Sequence, residues 1–337
     1  MKHTVVLLLA LGLFASALAQ DMPGTGVMVR PAVANDEQAR PIALVMVTLL
    51  EELGYEVEDP VTLANPIFYQ SLVNGDIDYW AHSWMPNQNN QIPSNFDEEA
   101  AFAGTIMPNG SIQGYLVDQA SAEAFGITSI TDFQREEVKA AFDVDGDGRA
   151  DLVGCEAGWG CAEIVRGHIE ANDLEEHVNI LDAGYNAMFA DVLARFNNGE
   201  PVFYFTWTPY FTVNEIPPGD GAIWINVPEL GETDDPELME SMTVSDIPGL
   251  ATDPLVMGFP ANDLRIAANQ DFLDENPAAA ALFAEVKIDP ATVTAMTVRI
   301  NNGEDSPEEV MAMVDEWIAA NRDAIDGWLE TARAAAQ

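Results

Sequence analysis

The sequence predicts an α/β protein of two lobes, each a mostly parallel sheet flanked by helices. Strand and helix signals alternate, the chain is long enough for two domains, and one αβ unit echoes another. Gly26 to Val33 reads as a strand, and an amphipathic helix follows from Asp36 to Leu53, ended by Gly54. Tyr55-Glu56-Val57 starts the next strand, Ile67 to Val73 is a helix stopped by Asn74-Gly75, and Ile77 to Trp84 is a strand stopped by Pro86. The rhythm resumes with a strand at Gly114-Tyr115-Leu116-Val117 and another from Val202 to Trp207. The C-terminal third is mostly helical, and its last helix puts Val314, Trp317, Ile318, Ile325, Trp328 and Leu329 on one face.

The echo points to a site. Asn74-Gly75-Asp76 precedes a strand ending Trp84-Met85-Pro86, and Asn198-Gly199-Glu200 precedes one ending Trp207-Thr208-Pro209. Ligands of open parallel sheets sit beyond the carboxyl ends of the strands. Two lobes each presenting a tryptophan at that edge would face each other across a cleft. The alternative is chance likeness between two common αβ units.

Residues 1–19 read as a secretory signal peptide: Lys2 and His3, the apolar run Val5 to Phe14, then Ala17-Leu18-Ala19 at the cleavage site. The run is too short to span a bilayer, and no cysteine at the cleavage site suggests a lipid anchor. A free, exported protein is expected. There are 56 acidic and 13 basic residues, a formal net charge of -43. Such a surface repels nucleic acid and anionic lipid. It is also common in proteins of salty habitats, where counter-ions screen the self-repulsion. Cys155 and Cys161 are the two cysteines, and in an exported chain they most simply form one structural disulfide.

Trp80, Trp84, Trp159 and Trp207 stand on strands, strand ends and a glycine-flanked loop, whereas Trp224, Trp317 and Trp328 read as packing. Trp80, His82 and Trp84 share one face of a strand. The indole face attracts a quaternary ammonium, a cation too weakly hydrated to demand water, with about 2 kcal/mol for a desolvated contact. Core packing is the competing reading for any single tryptophan. Asp143, Asp145, Asp147, Gly148 and Asp151 match the start of an EF-hand loop, and Arg149 completes the candidate metal set. Gly154 occupies the place of the closing glutamate. A structural Ca²⁺ is expected there, against a metal-free turn.

The chain resembles the glycine betaine-binding component of osmolyte ABC importers. The likeness is densest in Asn74 through Pro86, Gly146 through Cys161, and Pro201 through Tyr210. It implies a type II periplasmic binding protein whose two α/β lobes are joined by two crossing strands. Residues 20–112 with 259–337 would form lobe 1, and residues 113–258 lobe 2. It implies that Trp84, Trp159 and Trp207 box a trimethylammonium head, that Gly160 and Cys161 contribute main-chain contacts, and that Cys155 pairs with Cys161. A monomer is expected, handing a small methylated amine to a permease and its ATPase and touching the membrane only through them.

Three departures from the betaine pattern have physical consequences. Gln88 stands where the family's betaine binders place a histidine on the ligand carboxylate. Trp80 replaces a smaller residue and would shrink the pocket, and Glu156 would repel a carboxylate. Desolvation against aromatic rings would raise the Glu156 pKa and let it donate a hydrogen bond. These changes suit trimethylamine N-oxide, and the chain resembles that branch most; choline and glycine betaine are the rivals. An enzyme is not expected. No Gly-x-Ser-x-Gly elbow, His-Glu-x-x-His helix or phosphate loop is present, and the histidines at 3, 82, 168 and 177 are scattered. No catalytic cofactor is expected. A cysteine-dependent enzyme would need a free thiol, and a purely structural role would show no saturable small-molecule binding.

Overall fold

A computed structural model describes residues 22–231 and 240–337. The signal-peptide expectation for residues 1–19 lies outside the described residues. Strands β1 (Met28–Val29), β2 (Pro31–Val33), β3 (Glu56–Val57), β4 (Val61–Thr62), β5 (Tyr79–Met85) and β6 (Ala100–Ser111) come first in the chain. β7 (Gln113–Asp118), β8 (Ala150–Val153), β9 (Val178–Leu181), β10 (Phe203–Trp207) and β11 (Ala222–Ile225) follow. β12 (Thr243–Val244), β13 (Leu255–Val256) and β14 (Asn262–Asn269) complete the described strands. Two five-stranded sheets result, in the orders β4-β2-β5-β14-β6 and β11-β7-β10-β8-β9.

The two-lobe α/β architecture is present, but the sheets are mixed rather than mostly parallel. In the first, β2 runs parallel to β4 and β5, whereas β14 is antiparallel to both β5 and β6. In the second, β10-β8 and β8-β9 are parallel, and β7 is antiparallel to β10 and β11. The exceptions have a topological cause. β6 carries the chain out of the first sheet toward β7 in the second, and β14 brings it back. Neighbours running in opposite directions need no crossover helix.

Local sequence explains the elements around the cleft. The helix Ala39–Glu52 begins where the Asp36 carboxylate accepts the Ala39 N–H at 2.7 Å, satisfying a donor that the first turn leaves unpaired. It ends at Gly54, whose φ of +89° suits only glycine at low cost. The helix Asn65–Val73 ends before Gly75 at φ +71° in the same way. Ser306 and Glu309 form a capping box that starts the helix Pro307–Ala320.

Each lobe has its own core. In the second, Phe133, Phe203, Phe205, Tyr115 and Trp224 are buried together. The first sheet is covered on both faces: Tyr79 and Ala81 pack against the helix Ala39–Glu52 and the C-terminal helices. Trp80, on the opposite face, packs against Phe68 and Leu72. Trp317 and Trp328 stack with ring centres 6.5 Å apart, so these two and Trp224 are packing residues.

Candidate ligand-binding site

The parallel strands aim their carboxyl ends at the space between the sheets. β2 leads to Asp36, β5 ends at Trp84-Met85, β8 leads into the Cys155–Cys161 loop, and β10 ends at Trp207. Both Trp-x-Pro turns of the internal echo carry a cis X-Pro bond. The two cysteines are disulfide-bonded, with Cα atoms 5.9 Å apart. That bond pins the loop holding Trp159 to the start of the helix Gly160–Ala171.

Trp84, Trp159 and Trp207 line one small cavity of about 60 Å³, together with His82, Phe205, Gly160 and Cys161. Trp159 meets Trp207 edge to face at 5.4 Å. Trp207 is held from behind by Tyr210, stacked at 4.4 Å, and by Tyr185 at 4.8 Å. The Tyr185 hydroxyl donates to the Phe205 carbonyl at 2.8 Å, so the aromatic backing is itself fixed. Rings from both lobes therefore converge on one space, and the π faces of such rings attract weakly hydrated cations.

The polar lining is asymmetric. On one side Gly160 and Cys161 open a twelve-residue helix, and a helix leaves the N–H groups of its first turn unpaired and carries partial positive charge there. Gln88 lies on the same wall. Its Oε1 accepts from the Tyr69 hydroxyl at 2.9 Å and from the Trp84 N–H at 3.2 Å. Those bonds direct the carboxamide oxygen away, leaving the amide NH₂ as the group that can meet an acceptor in the cavity. Asp36, on another wall, brings negative charge beside the rings.

Two residues expected in the pocket lie elsewhere. Trp80 is fully buried away from the cavity, stacked on Phe68 with ring centres 3.5 Å apart. Between Trp80 and Ser83 the register of β5 against β14 slips by one residue, which breaks the alternation that placed Trp80 on the face of Trp84. The helix Asn65–Val73 covers it, so it does not narrow the cavity. Glu156 lines a larger outer cleft of about 810 Å³ rather than the small cavity. Its carboxylate accepts the Tyr185 N–H at 3.0 Å and so caps the helix Tyr185–Asn197, which accounts for an acid at that position without a ligand.

Polar contacts close the cleft. The Asn87 amide donates to Gln113 Oε1 at 2.8 Å, Gln91 donates to the Gly158 carbonyl at 3.2 Å, and the buried Gln38 amide donates to the Pro209 carbonyl. Asp36, Gln38, Asn87 and Gln113 were not among the residues singled out from sequence. Asp36 and Gln38 do follow a parallel strand directly, which is the position where ligand contacts gather.

In the acidic loop, Asp143, Asp145 and Asp151 bring carboxylate oxygens within 4.8 Å of one another. Asp151 is buried and already accepts from Asn179 at 3.0 Å and from the Val144 N–H at 2.8 Å. Asp147 is instead drawn to Arg149, and that guanidinium holds its carboxyl below the usual carboxylate range. Asp143, Asp145 and Asp151 are thus the residues able to hold a cation, with Asp147 engaged elsewhere.

Comparison with known proteins agrees with this geometry. A family model described as the substrate-binding domain of ABC-type glycine betaine transport systems matches residues 27–320. The chain is 35% identical to the glycine betaine-binding periplasmic protein OusX of Dickeya dadantii, over 98% of this chain and 96% of that one. It is 34% identical to the glycine betaine/proline betaine-binding periplasmic protein of Salmonella typhimurium, over 99% of each. In fold it is similar to lactococcal OpuAC in its closed form with glycine betaine, with a TM-score of 0.65 and 17% identity over 90% of this chain and 99% of that one. It is likewise similar to an ABC-transporter choline-binding protein with choline, with a TM-score of 0.67 and 20% identity over 92% and 96%.

Proposed function

The chain belongs to the family of substrate-binding domains of ABC-type glycine betaine transport systems, and on that footing we propose that it captures glycine betaine in the periplasm and delivers it to an ABC permease. Working as a monomer, it would hold the trimethylammonium head among Trp84, Trp159 and Trp207 and the carboxylate at the opening turn of the helix Gly160–Ala171. One observation carries this reading: three tryptophans and the first two residues of a twelve-residue helix share the same small cavity. A zwitterion with methyl groups at one end and a carboxylate at the other matches both halves. Asp36 adds attraction for the cationic end, and the Gln88 amide adds a donor for the anionic end.

Trimethylamine N-oxide is the second reading, and Gln88 favours it. A neutral amide in place of a cationic partner weakens the hold on a full carboxylate but suffices for a single accepting oxygen. The other two reasons for preferring it do not apply, because Trp80 lies away from the cavity and Glu156 is engaged outside it. Calorimetry of the purified protein should rank glycine betaine above trimethylamine N-oxide and choline. A reversed order of the first two assigns the chain to the amine oxide instead.

A further inference from the structure

At the cavity wall, one nitrogen is asked to serve two partners. The indole Nε1–H of Trp84 donates to His82 Nε2 at 2.9 Å, and the rings meet edge to face at 5.6 Å. Asp36 Oδ2 lies 3.2 Å from that same Nε2. His82 Nδ1 is buried with no hydrogen-bond partner among the described residues. A neutral imidazole with its proton on Nδ1 can accept from the indole. An imidazole with a proton on Nε2 must turn that N–H to the Asp36 carboxylate, and the indole N–H then faces another donor. The two arrangements exclude each other.

We propose that His82 is a positioning residue for Trp84: as the neutral tautomer with its proton on Nδ1, the one the indole contact requires, it anchors the ring that closes the first side of the aromatic box, and on protonation at Nε2 it transfers its bond to Asp36 and releases the ring. Ligand capture thereby becomes sensitive to proton concentration through one histidine. This rests on the proposed ligand site, because Trp84 matters only if it contacts a ligand.

The surroundings support the neutral form at ordinary pH. His82 is 6% exposed; burial lowers its pKa, and the Asp36 charge opposes that shift only in part. Trp80 contributes an uncharged ring at 6.4 Å. The other titratable groups near the pair are Glu37 and Tyr210, both beside Asp36. Burial raises the Glu37 carboxyl first and the Asp36 charge second, so Glu37 also titrates in acid. The sign follows: with a folded pKa below the ordinary 6.5, His82 is neutral at pH 8 and gains its proton only as pH falls below that value.

Calorimetry with glycine betaine from pH 8 to pH 5 tests this on the wild type and His82→Gln. The glutamine Oε1 sits as many bonds from Cβ as His82 Nε2, so it can accept the indole N–H but cannot take up a proton. Wild-type affinity should fall at least fivefold across that range while His82→Gln stays within twofold of its pH 8 value. Glu37 titrates in both proteins, so the difference between them reports His82. Parallel profiles would overturn the proposal. The indole N–H resonance of Trp84 in the ligand-free protein, identified by its loss in Trp84→Phe, gives a readout that needs no ligand. It should shift with acid in the wild type and hold still in His82→Gln; an unmoved wild-type resonance would overturn the proposal. A wild type that ignores glycine betaine at pH 8 but shows the resonance shift would sink the ligand assignment and leave the His82 arrangement standing.

Discussion

Gly160→Ala is expected to weaken glycine betaine binding at least a hundredfold, about 2.8 kcal/mol, without destabilising the ligand-free protein. A Cβ at this position would stand 2.5 Å from the Asn87 carbonyl oxygen and 3.0 Å from its carbonyl carbon. Asn87 follows β5 in the first lobe, whereas Gly160 opens a helix of the second. The obstacle is therefore backbone of the opposite lobe, which cannot swing aside as a long side chain can. The obstacle lies between the lobes, so a ligand-free protein whose lobes part would not meet it. Calorimetry and thermal unfolding of the ligand-free variant together separate the two effects. Binding within threefold of wild type would mean that the closed arrangement is not the one that holds the ligand.

Removal of either second-lobe tryptophan of the box should also be severe. Trp159→Ala and Trp207→Ala are each expected to lower affinity at least tenfold, about 1.4 kcal/mol, through loss of a desolvated cation–π face. The variants should differ in stability. Trp207 is 8% exposed and wedged against Tyr185 and Tyr210, so its truncation leaves a cavity costing about 3–5 kcal/mol. Trp159 is half-buried, meeting Trp207 edge to face at 5.4 Å and Tyr185 at 6.0 Å, so its truncation should lower thermal stability less than that of Trp207. Wild-type affinity in a folded Trp159→Ala protein would remove that ring from the box.

The sequence made the box legible because its members sit where packing explains them poorly: Trp84 and Trp207 at strand ends, Trp159 in a glycine-flanked loop closed by two cysteines. Depth was not legible. Period-two alternation puts Trp80 on the face of Trp84, but β5 slips by one residue against β14 between Trp80 and Ser83, so Trp80 packs with Phe68 and Leu72 whereas Trp84 packs against the other core of the lobe. Glu156 was misleading for a related reason. The N–H it accepts belongs to Tyr185, 29 residues further along, and no local pattern announces a cap at that distance. β6 was missed because Gly104, Pro108 and Gly110 interrupt it, and glycine and proline argue against a strand interior. Its place at the sheet edge and its irregular register with β14 accommodate them. With β6 and β14 unseen, the antiparallel half of the first sheet could not be anticipated. The helix Ala39–Glu52 and its stop at Gly54 were readable because cap, period and breaker agree.

Methylated nitrogen held by indole faces from both lobes makes a demand that a site built on the carboxylate alone does not. Glycine and glycine betaine carry the same carboxylate and differ in the three methyls, which make the cation bulky and weakly hydrated. Titration of the protein with each, followed by calorimetry, should give saturable one-to-one binding of glycine betaine and at least a hundredfold weaker binding of glycine. Equal affinity for the two, or no heat with glycine betaine, would contradict the aromatic box.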